Sequence, residues 1–309
     1  MKVAFHSNQL SLRGTEIALY DYAVGNIEIL GNESFIAAPI TGDLTSLSKF
    51  QERFPGNVLL YTHTDELQRL VDSEKIDVVY QIISGEDTSL KLKNTKNVYH
   101  AVFNVRNPEI TAYVSSWLSD QHSGSKYVPH IVRMKDSGYN YREYLEIKSD
   151  AFIVGRHGGN DSFDISYSAS VIHNVLQHRQ DIYFLFLNTD RLPFDHERVL
   201  YFDGTHDEEI KSSFINTVDV GLHCRTRGET FGLSVCEYLY FNKPVITCIN
   251  SPETNHIQIM KDKGFYYTDA NEMNAILLSM TKKNDDYQKL VRQFEPGEVM
   301  KMFSDILLK

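Results

Sequence analysis

The chain has 309 residues, enough for two domains with a core each, and its 42% hydrophobic and 23% charged residues are typical of a soluble globular protein. No apolar run approaches the roughly 20 residues of a membrane-spanning helix, and a net charge of −10 argues against general nucleic-acid binding. The charge leaves a peripheral membrane contact open, although no dense Lys/Arg block argues for one.

The chain starts with MKVAFHSNQL, which predicts a strand and lacks the apolar core and cleavage site of a secretory signal. We therefore expect a cytoplasmic protein. The three cysteines, Cys224, Cys236 and Cys248, are an odd number and form no C-x-x-C pair. They predict buried free thiols rather than disulfides or a zinc knuckle.

Short β-rich runs alternate with helical patterns in the first part of the chain. The predicted strands are KVAFH, SFIAAP, NVLLYT, IDVVYQII and NVYHAV, with helices such as TEIALYDYAVGNIEIL and TDELQRLVDSE between them. This alternation indicates β-α units in a parallel sheet. An irregular segment with several Pro and Gly residues, from about 104 to 140, predicts a long loop and a linker.

A second alternation follows, with strands predicted at AFIVG, DIYFLFL, RVLYF, VDVGLHC and PVITC. From about residue 270 the pattern is helical to the end, with Pro296 and Gly297 breaking it before the last helix, EVMKMFSDILLK. The sequence therefore predicts an α/β protein with two Rossmann-like, parallel-sheet domains. We place them at 1–140 and 141–295, with a final helix at 296–309.

Parallel sheets bind ligands at the carboxyl ends of their strands. After the first strand, Arg13 and Gly14 precede a helix expected to begin near Thr15, whose free N–H groups suit an anion or a sugar hydroxyl. His100 ends the fifth strand and could hydrogen-bond a hydroxyl or accept a proton. A plain tight turn explains the first feature equally well, and a lone histidine at a strand end is more often structural, so both interpretations stay open.

In the second half, the loop GRHGGNDSFD carries Arg156 at the tip of a strand and a Gly pair just beyond it. An arginine there can pair with a phosphate while the glycines let the backbone come close. A glycine-rich turn with an arginine in solvent is the alternative.

The stretch GETFGLSVCEYLYFNKPVIT, residues 228–247, carries the most informative pattern. It predicts a helix that begins near Leu233, with the N–H groups of 230–233 at its positive end, where a pyrophosphate is attracted. Glu229 and Glu237 flank this end within roughly 12 Å. They can accept hydrogen bonds from hydroxyls at the two ends of one ligand. A nucleotide sugar fits that description, whereas the helix dipole alone explains Glu237 but not Glu229 together with Gly232.

The GRHGG at 155–159 and the E-x7-E pattern around FGL, followed by KPVI, resemble the nucleotide-sugar domain of retaining glycosyltransferases of the GT-B fold, the large family usually numbered four. The match is specific from about 150 to 250. In the first half only RGTE and the strand end at His100 agree. The resemblance implies two domains that face a cleft and close over it, an acceptor site mostly in the first domain, and a last helix that crosses back to that domain.

It also implies transfer of a hexose from a nucleotide diphosphate to a hydroxyl with retention, as in glycan biosynthesis. Glu229 would contact the donor sugar and Glu237 the ribose, and His100 would lie near the donor sugar or the attacking hydroxyl. His100 and Glu229 are thus the implied catalytic residues. The implied donor-binding residues are Gly14, Arg156, Thr230, Phe231, Gly232, Leu233 and Glu237.

Two features depart from this family. Asp161 stands where a lysine usually follows the arginine, so one positive charge beside the diphosphate is missing, and Arg225 or Arg227 are the candidate substitutes. The chain is also shorter than most relatives, and we expect the shortfall in the acceptor domain.

The sequence contains no Asp-x-Asp and no H-E-x-x-H, so we expect transfer without a metal and without any cofactor besides the donor. It also lacks G-x-x-x-x-G-K, G-x-G-x-x-G and G-x-S-x-G, which disfavours kinase-like, dinucleotide-dependent and α/β-hydrolase functions.

Three other functions stay open: a glycosidase or phosphorylase that uses Glu229 and Glu237, a non-catalytic nucleotide-sugar binder, and an oligomeric scaffold. The donor could be UDP-, GDP- or ADP-linked, since the candidate base loops at 187–190 and 203–206 are ambiguous. The acceptor could be a glycan, a lipid, a protein or a small molecule. Arg106, Tyr113 and Trp117 are candidate lining residues, although packing explains each of them as well.

Overall fold

The computed structural model describes residues 1–85, 89–107 and 109–309; Pro108, in the predicted irregular segment, lies outside them. The chain divides into two units. The first comprises Met1–Ile131 together with Gln293–Lys309, and the second comprises Val132–Arg292. Our sequence-based boundaries, after residues 140 and 295, lie slightly C-terminal of these two divisions.

The first unit is built on a parallel sheet of six strands. They are β1 (Lys2–His6), β2 (Glu33–Pro39), β3 (Val58–Tyr61), β4 (Val78–Ile83), β5 (Lys96–Ala101) and β6 (Ala112–Tyr113), in the order β3-β2-β1-β4-β5-β6. The helices between them are α1 (Gly14–Glu28), α2 (Leu47–Arg53), α3 (Thr64–Glu74) and α4 (Ser116–Asp120). All six residues of β4 are buried, as expected for a central strand covered on both faces.

The second unit repeats this plan. Its main sheet contains β7 (Phe152–His157), β8 (Ile182–Leu187), β9 (Val199–Phe202), β10 (Val220–His223), β12 (Val245–Cys248) and β14 (Phe265–Tyr267), all parallel, in the order β14-β12-β10-β7-β8-β9. Two short strands, β11 (Gly228–Glu229) and β13 (Glu253–Thr254), pair separately. The helices are α5 (Ser168–His178), α6 (Glu208–Thr217), α7 (Leu233–Tyr240), α8 (Asn255–Met260) and α9 (Ala270–Ser279).

Strands β7 and β10 mark the switch point of the second sheet. From β7 the chain proceeds outward through β8 and β9, and it then returns to β10, on the other side of β7. Ligands of open α/β sheets bind in the crevice at the carboxyl end of such a strand pair. In this unit the two strands end at His157 and His223.

The final helix α10 (Pro296–Phe303) belongs to the first unit, as predicted, and continues into a π-helical segment, Ser304–Leu308. It packs closely on α1, because a Cβ added at Gly25 would lie 2.7 Å from Cγ of Met300. The fully buried Phe303 ring lies 5.1 Å from that of Tyr22 and 5.2 Å from that of Tyr80, between ring centroids.

The predicted fold class is confirmed, and each predicted strand is present within a few residues of its expected bounds. The helical pattern predicted from about 270 up to the break at Pro296 is present only in part: α9 ends at Ser279, residues 280–287 form no helix, and short 3₁₀ turns at Gln288–Leu290 and Arg292–Phe294 precede α10. The interruption contains KKNDD, whose charged and polar residues cannot cover the core. Pro296 does not break a helix but opens one, since its missing N–H costs nothing at the first helical position.

Candidate functional site

The amino end of α7 lies in the second unit, just after β11. The helix begins at Leu233, as predicted, and its N-cap is Gly232 with φ 94°, a left-handed conformation that glycine adopts without strain. Among the described residues no side chain caps this end of the helix. Its first N–H groups are therefore available to an anion or to hydroxyl oxygens.

Glu229 lies immediately before this helix and is held at both carboxylate oxygens. Nε2 of His223 lies 3.1 Å from Oε1, and Nη1 of Arg225 donates to Oε2 at 3.0 Å. Burial alone would raise the pKa of Glu229. The His223 hydrogen bond and the nearby positive charges outweigh burial and lower the pKa to about 2. Glu229 is therefore an ionised, oriented hydrogen-bond acceptor at neutral pH.

Two further side chains extend this network, and the sequence did not identify them. Nδ1 of His223 lies 2.8 Å from Oγ1 of Thr247, and that oxygen lies 3.2 Å from Nε2 of His256. His256 is fully buried, and burial lowers its pKa to about 3, so it is neutral. Its Nδ1 has no hydrogen-bond partner within the part of the chain that the structure describes.

Glu237 lies one turn into α7 and is also paired. Nζ of Lys211, on α6, lies 2.5 Å from Oε1, and Nδ1 of His157 lies 3.6 Å from Oε2. The Glu237 side chain is 9% exposed and that of Lys211 14%. Sequence analysis missed Lys211 and His157, because one is an ordinary-looking residue of a polar helix and the other lies within the glycine motif.

Arg156 is placed inside β7 rather than in the loop after it, and it is buried. Its guanidinium donates to the carbonyls of Asn188 and Gly159 and to the hydroxyls of Thr189 and Ser162. These four contacts tie together the loops that follow β7 and β8, so the structure gives Arg156 a loop-holding role.

The two arginines proposed in place of the missing lysine both have acidic partners. Arg225 binds Glu229, and Nη2 of Arg227 lies 2.8 Å from Oε1 of Glu253. The second contact is possible because β11 and β13 approach closely at Gly228, where an added Cβ would lie 2.0 Å from the Glu253 carbonyl oxygen. The positive charge of each arginine is therefore partly compensated by a neighbouring carboxylate.

In the first unit, Gly14 opens α1 and is exposed, one residue before the predicted helix start. Glu16, in the first turn, is buried and accepts hydrogen bonds from the Ser7 and Ser11 hydroxyls and the Gln9 amide. Burial raises its pKa despite these donors. Glu16 organises the loop around Gly14, and nothing in the sequence distinguished it from an ordinary helix acid.

His100, at the end of β5, is fully buried in the first unit. Its Nδ1 lies 2.8 Å from the hydroxyl of Tyr80, and burial lowers its pKa to about 4. It is therefore a neutral imidazole at pH 7, a state that can accept a proton. Its role near a donor or acceptor stays a prediction.

Three further sequence-based expectations can be set against the structure. The three cysteines are free and buried, as predicted. No helix among the described residues is long and apolar enough to cross a membrane. The same residues contain no group of three His, Cys, Asp or Glu side chains that could hold a metal, and metal independence stays a prediction.

No protein-family model matches the sequence, and no curated protein matches it. Solved structures do match over nearly the whole chain. A glycosyltransferase from Rickettsia africae is 13% identical with a TM-score of 0.72, and the alignment covers 99% of this chain and 98% of that one. HepE from Anabaena, solved in complex with UDP-glucose, is 14% identical with the same TM-score and coverage. A Listeria monocytogenes protein described as a UDP-N-acetylglucosamine 2-epimerase is 12% identical with a TM-score of 0.60, covering 98% and 96%.

The chain therefore has the GT-B fold of these glycosyltransferases, as the two six-stranded parallel sheets also indicate. At such low identities the likeness is one of fold, and activity has to be argued from the site.

Proposed function

We propose that the protein is a glycosyltransferase that moves a hexose from a nucleotide-diphosphate sugar to an acceptor hydroxyl, with retention at the anomeric carbon and without a metal. The donor binds in the second unit, against the amino end of α7. Glu229 contacts the donor sugar, and Glu237 contacts the ribose.

One observation carries this proposal: an ionised carboxylate, Glu229, is fixed beside an uncapped helix start at the carboxyl edge of the sheet. The helix start offers N–H groups to a diphosphate, and the carboxylate offers acceptors to sugar hydroxyls. Both features are needed for a nucleotide sugar, and an anion site alone would be weakened by an adjacent negative charge.

The chemistry requires stabilisation of the negative charge that develops on the departing diphosphate. The amides of Phe231, Gly232 and Leu233 are the proposed donors. Arg225 and Lys211 remain close by as cations, although each is shared with a glutamate. These shared cations are the proposed compensation for Asp161 in place of a lysine.

The comparisons support a nucleotide sugar as the ligand. HepE was solved in complex with UDP-glucose, and the description of the Listeria protein names UDP-N-acetylglucosamine, a UDP-linked amino sugar. The descriptions of these two proteins, which have different activities, thus both name a UDP-sugar, and UDP is therefore the first nucleotide to test.

The experiment is a thermal-shift screen against UDP, GDP, ADP and their sugars, followed by calorimetry and by NMR of the anomeric product. A ligand that binds only the folded state raises the melting temperature. We expect one nucleoside diphosphate to bind, slow hydrolysis of its sugar in the absence of acceptor, and unchanged rates in excess EDTA. If none of the nucleotides tested bound, the proposal would be refuted. A product with the inverted anomeric configuration would refute only the proposed retention.

A non-catalytic nucleotide-sugar binder is the second candidate, and Asp161 favours it because a phosphate-neutralising lysine is missing at that position. Such a protein would bind the nucleotide but neither transfer nor hydrolyse the sugar. A glycosidase is less well supported. Its general acid needs a raised pKa, and Glu229, whose pKa is lowered to about 2, could serve only as the nucleophile of such a pair.

A further inference from the structure

Glu229 is the end of a hydrogen-bonded chain that runs into the protein interior. The chain passes from Glu229 through His223 and Thr247 to His256, with separations of 3.1, 2.8 and 3.2 Å between the bonded atoms. Thr247 and His256 are fully buried. We call His223, Thr247 and His256 the histidine chain.

The chemistry of its members fixes the direction of each hydrogen bond. The ionised Glu229 carboxylate can only accept, so Nε2 of His223 carries a hydrogen. When His223 is neutral, its Nδ1 accepts the single hydrogen of the Thr247 hydroxyl. The Thr247 oxygen can then accept from Nε2 of His256. With His223 in this neutral state, both imidazoles are in the Nε2–H form, and the Thr247 hydroxyl both donates and accepts.

The two carboxylate oxygens of Glu229 are thus held from different sides. Oε1 is bound by His223, the partly buried end of the histidine chain, and Oε2 by the more exposed Arg225. A carboxylate oxygen has about two acceptor positions, so each oxygen keeps one for a ligand hydroxyl. A side chain whose oxygens are both fixed presents those positions in a single orientation.

We propose that Thr247 is a positioning residue for the donor-sugar contact: its hydroxyl joins the partly buried imidazole of His223 and the buried imidazole of His256 into one chain that holds Glu229 in a single orientation. This inference rests on the proposed function, because it assumes that Glu229 contacts the sugar. It goes beyond that function in assigning the contact's geometry to Thr247 and His256. Neither makes a hydrogen bond to the amides of the helix start among the described residues, although the His256 side chain packs against Gly232, where an added Cβ would lie 3.0 Å from its Cβ.

The first test needs no ligand. Long-range ¹H–¹⁵N spectra at pH 8 report the tautomer of each of the 12 histidines, and His223→Gln and His256→Gln assign the two signals. We expect the Nε2–H form for both rings. Thr247→Val has the same shape without the hydroxyl and should turn His256 into a mixture of tautomers, whereas Thr247→Ser should restore the wild-type signals.

The second test compares UDP-glucose with UDP by calorimetry. Thr247→Val removes both hydrogen bonds of the hydroxyl, to His223 and to His256, and should weaken UDP-glucose binding by at least about tenfold, while UDP, which lacks the sugar, should bind as in the wild type. Thr247→Ser should match the wild type for both ligands. Thr217→Val is the matched control, since it removes a buried hydroxyl of the same unit that donates to the Ser213 carbonyl; it should leave the ratio of the two affinities unchanged.

Unchanged tautomers and an unchanged affinity ratio in Thr247→Val would overturn the inference. Equal losses of UDP and UDP-glucose affinity would also overturn it, because they would indicate a purely structural role. If the wild type bound neither UDP nor UDP-glucose, the proposed function would be refuted, and the proposed contact between Glu229 and the donor sugar would be refuted with it. The tautomers would then still decide whether the histidine chain orders Glu229.

Discussion

Nζ of Lys211 on α6 lies 2.5 Å from Oε1 of Glu237 on α7, and both side chains are largely buried. Removing one member of such a pair leaves the other charge buried and uncompensated, at a cost of roughly 3 kcal/mol. We therefore predict that Glu237→Ala lowers both the melting temperature and the affinity for UDP. Thermal unfolding and calorimetry measure the two effects.

The double variant Lys211→Met/Glu237→Leu separates folding from binding. It removes both charges and fills the space with apolar side chains, so stability should recover to near the wild-type value. UDP affinity should stay low if Glu237 binds the ribose. Recovery of UDP affinity together with stability would mean that Glu237 serves only the fold.

Glu229 leads to a second prediction, which concerns pH. Because its pKa is lowered to about 2, the side chain stays ionised throughout the usual assay range. Protonation of Glu229 should therefore not weaken donor binding at any pH down to 4. In Arg225→Met one stabilising charge is removed, so the pKa of Glu229 rises and an acid limb should move toward neutral pH in binding curves for UDP-glucose.

Glu229→Gln should lower kcat/KM by about 10- to 100-fold, the range for a lost hydrogen bond to a charged group. Turnover should fall more than donor binding. Glu143→Gln, at an exposed position of the same unit, is the control and should change neither. If Glu229→Gln behaved like this control, Glu229 would have no part in the reaction.

Buried neutral histidines predict a loss of stability in mild acid. Burial lowers the pKa of His6 and His100 to about 4 each, from 6.5. Between these values the unfolded chain binds protons that the folded chain does not, so stability is complete above pH 6.5 and declines as pH falls toward 4. A shift of this size corresponds to about 3 kcal/mol for each ring.

His100→Gln provides the check, because glutamine can still accept from the Tyr80 hydroxyl but does not titrate. Denaturant unfolding at pH 7.5 and at 5 should show a smaller difference for this variant than for the wild type. We also expect it to lower turnover more than donor binding, as the sequence-based catalytic role requires. An unchanged turnover would leave His100 a structural residue of the first unit.

The sequence predicted the fold well because hydrophobic runs and turn residues are local signals. The strand IDVVYQII and the helix start at Leu233 are read directly from neighbouring residues. The three-residue strand β14 was missed because it is too short to show a pattern.

The site was predicted only in part, for a related reason. Glu229 and Glu237 stand in one motif, and His223 and Arg225 lie just before it, but the other partners come from distant segments. Lys211 is 26 residues before Glu237, and Thr247 and His256 reach the network through β12 and α8. The parallel register of β10 and β12 places Thr247 beside His223, and a single sequence does not report such pairings between strands and helices that are distant in the chain.

The position of α7 depends on a glycine in the strand beneath it. A Cβ added at Gly221 in β10 would lie 2.5 Å from Cδ2 and 2.7 Å from Cγ of Tyr238, atoms of a buried ring that has no room to move aside. Gly221→Ala must therefore push α7 away from the sheet. We predict a loss of roughly 2 kcal/mol in stability, as for other overpacked cores, and weaker binding of UDP, because the helix start moves relative to Glu229.

Gly297→Ala is the matched control, since an added Cβ there meets open space in α10, and it should leave UDP binding unchanged. Denaturant unfolding and calorimetry on both variants test the prediction; full UDP affinity in Gly221→Ala would show that the nucleotide does not rest on α7.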